Sequence, residues 1–124
     1  MTMTSDVRTA AQPRALDAAT ALFRSLSDAT RLAILRRLAV GEARVVDLTA
    51  ELGLAQSTVS AHLACLRDCG LVDYRPQGRA SVYRLTRVEL LDVFRAAEAL
   101  LDAAGSAVAL CPNYGHPRTG RPAG

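Results

Sequence analysis

The chain has 124 residues, a size that suits one domain, and half of them are hydrophobic, which is enough for a sizeable core. Its formal net charge of +3 is only weak support for a nucleic-acid partner. No apolar run approaches the ~20 residues needed to cross a bilayer, and the polar N-terminus lacks a signal-peptide core. A cytoplasmic protein with no membrane partner is therefore expected.

Two helices are predicted at the start of the domain, after a polar and flexible arm at residues 1–12. The first runs from about Pro13 to Leu26, because proline suits the first helical turn and apolar residues recur every three or four positions. That stripe consists of Leu16, Ala19, Phe23 and Leu26. Ser27 and Asp28 are typical of a turn and a helix cap, so a second helix is predicted through about Val40.

A helix-turn-helix is predicted next. The third helix runs over about Val45–Leu52 and the fourth over about Gln56–Cys69, with Gly53 between them. Gly70 follows the fourth helix, at the position where a residue with a left-handed backbone conformation, usually glycine, ends a helix. A short helix, a Gly-containing turn and a second helix form the pattern whose second helix reads the major groove of DNA.

A β-hairpin wing and a long helix complete the predicted domain. Leu71–Arg75 and Ala80–Leu85 alternate in polarity, which predicts two strands around a turn at residues 76–79. The last helix is predicted from about Val88 to about Val108 with a heptad-like seam. The seam consists of Leu90, Phe94, Ala97, Leu101, Ala104 and Val108. The fold class is thus mainly α with a small β-hairpin, a winged helix-turn-helix over residues 13–110.

A homodimer through the first and last helices is also predicted, because operators read by helix-turn-helix proteins are usually bound by two-fold dimers. The alternative is a last helix that packs only on its own domain.

Polar side chains open the fourth helix and arginines follow it. From Leu54 to Arg87 there are five arginines against two aspartates, so the local charge equals that of the whole chain. Glutamine, serine, threonine and arginine suit base edges and phosphates. The residues predicted to bind DNA are Gln56, Ser57, Thr58, Ser60, His62, Arg75, Gln77 and Arg79. The alternatives are a plain helix cap for the polar cluster and a structural role for His62.

The three cysteines, Cys65, Cys69 and Cys111, do not suggest a disulfide scaffold. Cys65 and Cys69 are one helical turn apart on one face, and two thiolates so placed can chelate a soft metal ion. Redox sensing and inert burial remain open at this point. Paired carboxylates, a nucleophile motif and a Gly-rich phosphate loop are absent from the sequence, so an enzyme is not expected.

The segment Leu26–Leu35 resembles the opening motif L-x-D-x-T-R-x-x-I-L of the ArsR/SmtB family of winged-helix, metal-responsive repressors. Val46–Leu48, Gln56–Leu63 and the glycine-arginine pair of the wing also match, and the resemblance covers about Ala15–Leu101. It implies a homodimer that binds double-stranded operator DNA in the metal-free state and releases it on binding an inducer.

The family's metal sites occur at several places, and two of them are absent here. The third-helix site needs cysteine, which residues 43–48 lack, and the last-helix site needs histidine, which residues 88–110 lack. Cys65, Cys69 and Cys111 are similar to the set in cadmium/lead-sensing members of the family. That similarity implies an all-thiolate site for Cd(II) or Pb(II), with Cys111 on a flexible tail, residues 111–124, donated by the partner subunit. As(III) is the competing inducer, and a thiol-redox repressor or a constitutive regulator are further alternatives.

Overall fold

The structure, a computed structural model, describes residues 15–111. In chain order the elements are α1 (residues 15–26), α2 (Ala29–Val40), β1 (Ala43–Arg44), α3 (Val45–Leu52), α4 (Gln56–Asp68), β2 (Val72–Gln77), β3 (Ala80–Leu85) and α5 (Glu89–Ala103). The predicted winged helix-turn-helix is confirmed. The predicted arm, the predicted helix start at Pro13 and the tail after Cys111 lie outside the described residues. No helix within the described range is long and apolar enough to cross a membrane.

The helix cap predicted at the start of α2 is confirmed. Asp28 has an extended backbone, and its carboxylate accepts a hydrogen bond from the backbone N–H of Arg31 at 3.0 Å. Such a bond satisfies one of the amide groups that the first turn of a helix leaves without a partner. It is the largest cause that holds the pKa of Asp28 below its usual value of 3.8.

This lowered pKa predicts a pH-dependent contribution to stability. A carboxylate with a lowered pKa in the folded state stabilises the fold above its unfolded pKa, and that contribution is lost as the pH falls through the folded pKa. We therefore expect Asp28→Ala to lower the urea midpoint at neutral pH, with the gap to wild type closing in strong acid. Equilibrium urea unfolding across the acidic range measures this gap, and a gap that persists unchanged in acid would contradict the assignment.

The wing is a three-stranded antiparallel sheet in the order β1-β3-β2. Pairing of β2 with β3 runs from Val72 opposite Leu85 to Gln77 opposite Ala80. The strand β2 therefore continues past Arg75 and includes Pro76, which shortens the predicted turn to two residues. Proline is tolerated there because β2 is an edge strand. The short strand β1, which pairs with β3, was not predicted.

The core forms where the inner face of α4 meets its neighbours. Val59, Leu63 and Leu66 follow one another at helical spacing and are fully buried. Leu90 and Phe94 of α5 belong to the same core cluster. The buried core residues from the remaining elements include Ile34, Leu35, Leu38, Leu48, Leu71 and Val72. Burial of one face of α4 leaves the opposite face open to solvent.

The prediction that the last helix extends to Val108 is wrong, because α5 ends at Ala103. Gly105 adopts a left-handed backbone with φ of 88°, and the N–H of Ser106 bonds the carbonyl of Leu101. These features form a Schellman cap, which stops the helix. The same cap ends α4, where the predicted left-handed residue after the helix is confirmed at Gly70.

The predicted heptad seam is therefore divided. Its first two members, Leu90 and Phe94, are buried in their own domain, and its last two lie beyond the end of α5. The large apolar side chains that remain exposed on α1 and near the end of the described chain are Leu16, Phe23, Leu100 and Val108. Exposed apolar side chains of this size mark a candidate interface.

Candidate nucleic-acid interface and thiol site

The solvent-facing side of α4 carries most of the predicted reading residues. Gln56, Ser57 and Ser60 are exposed, whereas Thr58 is half-buried. The turn before α4 is fixed by Gly53, whose φ of 68° is left-handed, and by hydrogen bonds that return to Thr49. Burial of the other face of α4 in the core orients these polar groups outward.

A groove of about 480 Å³ lies between the start of α3, the start of α4 and the wing. It brings together three of the predicted DNA-binding residues, Gln56, Ser60 and Arg79. Arg79 has no ion-pair partner in the described part of the chain. Its guanidinium group is therefore available to an anion such as a phosphate.

The groove also contains residues that the sequence analysis missed, namely Arg44, Thr49 and Tyr83. Arg44 donates to the carboxylate of Asp47, and this pairing is the largest cause that raises the pKa of Arg44 and lowers that of Asp47. Burial raises the pKa of Tyr83, so its phenol stays neutral. Arg44 could have been found from its position just before the predicted third helix, because helix N-termini attract phosphate and its basic side chain suits the same anion.

Two other residues predicted to bind DNA, Arg75 and Gln77, lie on the opposite face of the hairpin. Together with Glu42 they line a second depression, which adjoins the groove and shares Arg44 and Ala80 with it. A guanidinium nitrogen of Arg75 is 2.7 Å from a carboxylate oxygen of Glu42. Arg75 is paired with Val82 across the strands, whereas the neighbouring pair, Tyr74 with Tyr83, faces the groove. Because successive side chains of a strand lie on opposite faces, Arg75 lies on the other face of the hairpin. The structure thus separates these two residues from Gln56, Ser60 and Arg79.

His62 lies on the side of α4 that faces the first two helices. It is half-buried, and its Nδ1 is 3.3 Å from the guanidinium group of Arg31. Arg31 in turn donates to the backbone carbonyls of Ser25 and Arg24. The ring of His62 is therefore engaged with α2 on one side.

Cys65 and Cys69 lie at the C-terminal end of α4, and both are free thiols. Cys69 is the residue that caps the helix, and it is exposed, whereas Cys65 is half-buried. The Sγ of Cys69 is 2.8 Å from the Oγ of Ser25, which is the last-turn serine of α1. The two thiols thus belong to the helix whose other end lines the groove.

Cys111 is held against its own protomer. The backbone N–H groups of Leu110 and Cys111 both donate to the carboxylate of Glu98 on α5. Arg36 of α2 donates to the carbonyl of Ala109, and the Sγ of Cys111 is 3.7 Å from the carbonyl of Leu91. The segment that follows α5 is therefore folded back along that helix.

The three cysteines do not form a metal site in one protomer. Among residues 15–111, no three side chains of His, Cys, Asp or Glu lie close enough together to hold a metal ion. Two sulfur donors, Cys65 and Cys69, at adjacent turns suit a soft ion. These two cysteines supply part of the ligand set of such an ion, and a third ligand must come from outside this pair.

The hydrogen bonds that Glu98 accepts should limit the reactivity of the Cys111 thiol. Glu98→Gln replaces a charged acceptor of two N–H groups with a neutral one, which weakens both bonds. We expect Cys111 in the reduced, metal-free protein to react several-fold faster with a thiol-alkylating reagent, as measured by mass spectrometry of the labelled peptide. Glu89→Gln, an exposed change on the first turn of α5, is the matched control. Equal labelling rates in the two variants would contradict this role for Glu98.

Comparison with known proteins places the chain in a family. Residues 28–74 match the family described as "Bacterial regulatory protein, arsR family". The probable mercury resistance operon repressor of Streptomyces lividans is 36% identical over 94 residues, which are 76% of this chain and 74% of that relative. The chain belongs to the arsR family. Members of this family are DNA-binding transcriptional regulators, not enzymes.

Two further relatives of this arsR-family protein bear on its fold. The HTH-type transcriptional regulator CmtR of Mycobacterium tuberculosis is 48% identical over 64 residues, which are 52% of this chain and 54% of CmtR. The alignment thus spans about half the length of CmtR. A homodimeric winged helix-turn-helix DNA-binding domain from Mycobacterium bovis superimposes with a TM-score of 0.70 at 26% identity, over 86% of this chain and 94% of that domain.

Proposed function

We propose that this protein is a transcriptional repressor that binds operator DNA as a metal-free homodimer and releases it when cysteine thiolates bind Cd(II) or Pb(II). The observation that carries the proposal is the position of Cys65 and Cys69 at one end of α4, while Gln56 and Ser60 face the groove at its other end. One helix thus carries both the DNA-reading residues and the metal-binding thiols.

The DNA-binding role is supported by the chemistry of the groove. The amide of Gln56 suits an adenine edge, and Ser60 suits a base edge or a phosphate. Arg79 at the wing suits a phosphate, with Ser57 and Thr58 at the first turn of the same helix. We assign Arg75, Gln77 and His62 weaker roles in DNA binding, because each is placed away from this groove or faces another side chain.

The homodimer is supported by the exposed apolar side chains on α1 and α5, Leu16, Phe23 and Leu100 among them. The similar domain from Mycobacterium bovis is described as homodimeric. A two-fold dimer would present two α4 helices to successive major grooves, about 34 Å apart.

The choice of a soft metal follows from the ligands. Thiolates prefer soft, polarisable ions, and a relative of this chain is named for mercury resistance. Cys65 and Cys69 would supply two ligands, and Cys111 of the partner subunit would supply the third. As(III) accepts three thiolates as well and is the second candidate. Redox control by a Cys65–Cys69 disulfide is disfavoured, because two cysteines one turn apart in an intact helix have poor disulfide geometry.

Binding of Cd(II) and binding of operator DNA must weaken each other by the same factor. If binding of Cd(II) weakens operator binding, the operator weakens Cd(II) binding by the same factor, typically about 1–3 kcal/mol of coupling free energy. Attachment of the Cys111 segment to the end of α4 would restrain the two reading helices of the dimer, and DNA affinity would fall.

The thiolate site is tested by anaerobic titration of the reduced, metal-free protein with Cd(II), following the ultraviolet thiolate-to-metal absorption. We expect a stoichiometric, intense band that drops in Cys111→Ser, while that variant still binds the operator. An equimolar mixture of Cys111→Ser with the double variant Cys65→Ser/Cys69→Ser should recover part of the band, since one site per mixed dimer is complete. A wild-type protein without a band would overturn the metal proposal, and a mixture without recovery would overturn the cross-subunit ligand.

A further inference from the structure

The end of α1 is joined to the end of α4 by a buried hydroxyl group. Ser25 is 3% exposed, and it is the one polar residue that is buried among residues 15–111. Its Oγ lies 2.8 Å from the Sγ of Cys69, across 44 residues of sequence. A buried hydroxyl requires a hydrogen-bond partner, and here that partner is a thiol proposed as a metal ligand.

The same serine is linked to α4 at a second point. Its backbone carbonyl accepts a hydrogen bond of 2.8 Å from Nε of Arg31, and Arg31 also contacts His62. The junction between α1 and α2 is thus connected both to the residue that caps α4 and to the middle of that helix. A change in the Ser25–Cys69 bond would therefore act on a segment that also holds the reading helix.

We propose that Ser25 is a positioning residue for the metal site, which donates a hydrogen bond to the Cys69 thiolate and fixes its orientation toward the ion. This inference rests on the proposed function. While Cys69 is a thiol, either atom of the pair can donate. A metal-binding cysteine has given up its proton, so only the hydroxyl of Ser25 can then donate. Hydrogen bonds to a charged acceptor are about twice as strong as neutral ones, so this bond would hold the ligating thiolate in a fixed orientation.

The matched control lies two residues away. Ser27 has an exposed hydroxyl that donates to the carbonyl of Arg24 and is not bonded to either thiol. Ser27→Ala thus removes a hydroxyl from the same segment without touching the site. Ser25→Thr keeps the hydroxyl at the buried position and is the conservative variant.

The experiment compares the affinity for Cd(II) of wild type, Ser25→Ala, Ser25→Thr and Ser27→Ala by competition with a chelator. Loss of a group that orients a metal ligand typically costs about 10–100-fold in metal affinity, and we expect this loss in Ser25→Ala. Ser25→Thr and Ser27→Ala should bind Cd(II) as wild type does. Urea unfolding and operator affinity without metal are measured for the same proteins, and a loss of Cd(II) affinity in Ser25→Ala that exceeds any change in these two quantities separates positioning from folding.

The outcomes distinguish the two proposals. Equal Cd(II) affinities in wild type and Ser25→Ala would overturn the role of Ser25 and leave the metal-responsive repressor standing. A wild-type protein that does not bind Cd(II) would overturn both. Equal losses in Ser25→Ala and Ser27→Ala would also overturn the role of Ser25, because the effect would then come from the segment and not from the contact with Cys69.

Discussion

Replacing Phe94 with alanine should lower the free energy of unfolding by about 3–5 kcal/mol, since a buried aromatic ring is lost and a cavity remains. Phe94 is 2% exposed on α5 and belongs to the core cluster that includes the inner face of α4. Equilibrium urea unfolding measures the loss, and the effect on the midpoint should be the same at every protein concentration, because Phe94 is buried in its own domain.

The second phenylalanine of the chain provides the matched control. Phe23 is 60% exposed on α1, in the surface proposed to bind the second protomer. Phe23→Ala should therefore weaken self-association, and its effect on unfolding should shrink as the protein is diluted and the wild-type dimer dissociates, because a second protomer stabilises the fold only while it is bound. If Phe23→Ala were as destabilising as Phe94→Ala at all concentrations, α1 would be part of the domain core and not of the interface.

Replacing Gln56 with alanine should weaken operator binding by about 1–3 kcal/mol and relax base preference at one position of each half-site. The reason is that Gln56 is exposed at the first turn of α4 and lines the groove beside the wing. Binding to the operator and to single-base variants of it, measured at one fixed salt concentration, tests both parts of the expectation.

Gln77 is the matched glutamine on the other face of the hairpin, in the depression that contains Arg75. Gln77→Ala should bind the operator nearly as wild type does. Arg79→Ala should lose affinity uniformly across DNA sequences and reduce the slope of the salt dependence by about 1, as expected for a phosphate contact. Equal losses in Gln56→Ala and Gln77→Ala would contradict the assignment of the groove as the reading surface.

Signals that act within a few residues predicted the fold well. Asp28 caps α2 and Gly70 ends α4 as expected, because each depends on backbone geometry that its own residue type favours. The limits of α4 were predicted for the same reason, since Gly53 precedes the helix and Gly70 follows it.

Features defined by distant partners were not predictable in the same way. The strand β1 has two residues and exists because β3 pairs with it, so it shows no alternation of its own. The predicted heptad seam continued past Gly105, whose left-handed backbone ends the helix. Periodicity alone also does not distinguish a helix face that packs in its own domain, as Leu90 and Phe94 do, from one that packs against a second protomer.

The candidate site shows the same division. The grouping of Gln56, Ser60 and Arg79 follows from the helix-turn-helix pattern and was predicted. The face on which Arg75 lies depends on the register of the hairpin. The predicted turn was two residues too long, so the sequence did not define that register. The contact of Ser25 with Cys69 joins two helices distant in sequence, and no local pattern indicates it.

The most direct test of the central claim is the affinity of the reduced protein for its operator, measured by fluorescence anisotropy with and without one equivalent of Cd(II) per protomer. We expect tight binding without metal and an affinity about 5–150-fold lower with Cd(II), the range of typical allosteric coupling. Cys69→Ser should bind the operator equally with and without Cd(II). Wild-type affinity that does not change on adding Cd(II), in protein shown to have bound the ion, would contradict the claim that these thiols control DNA binding.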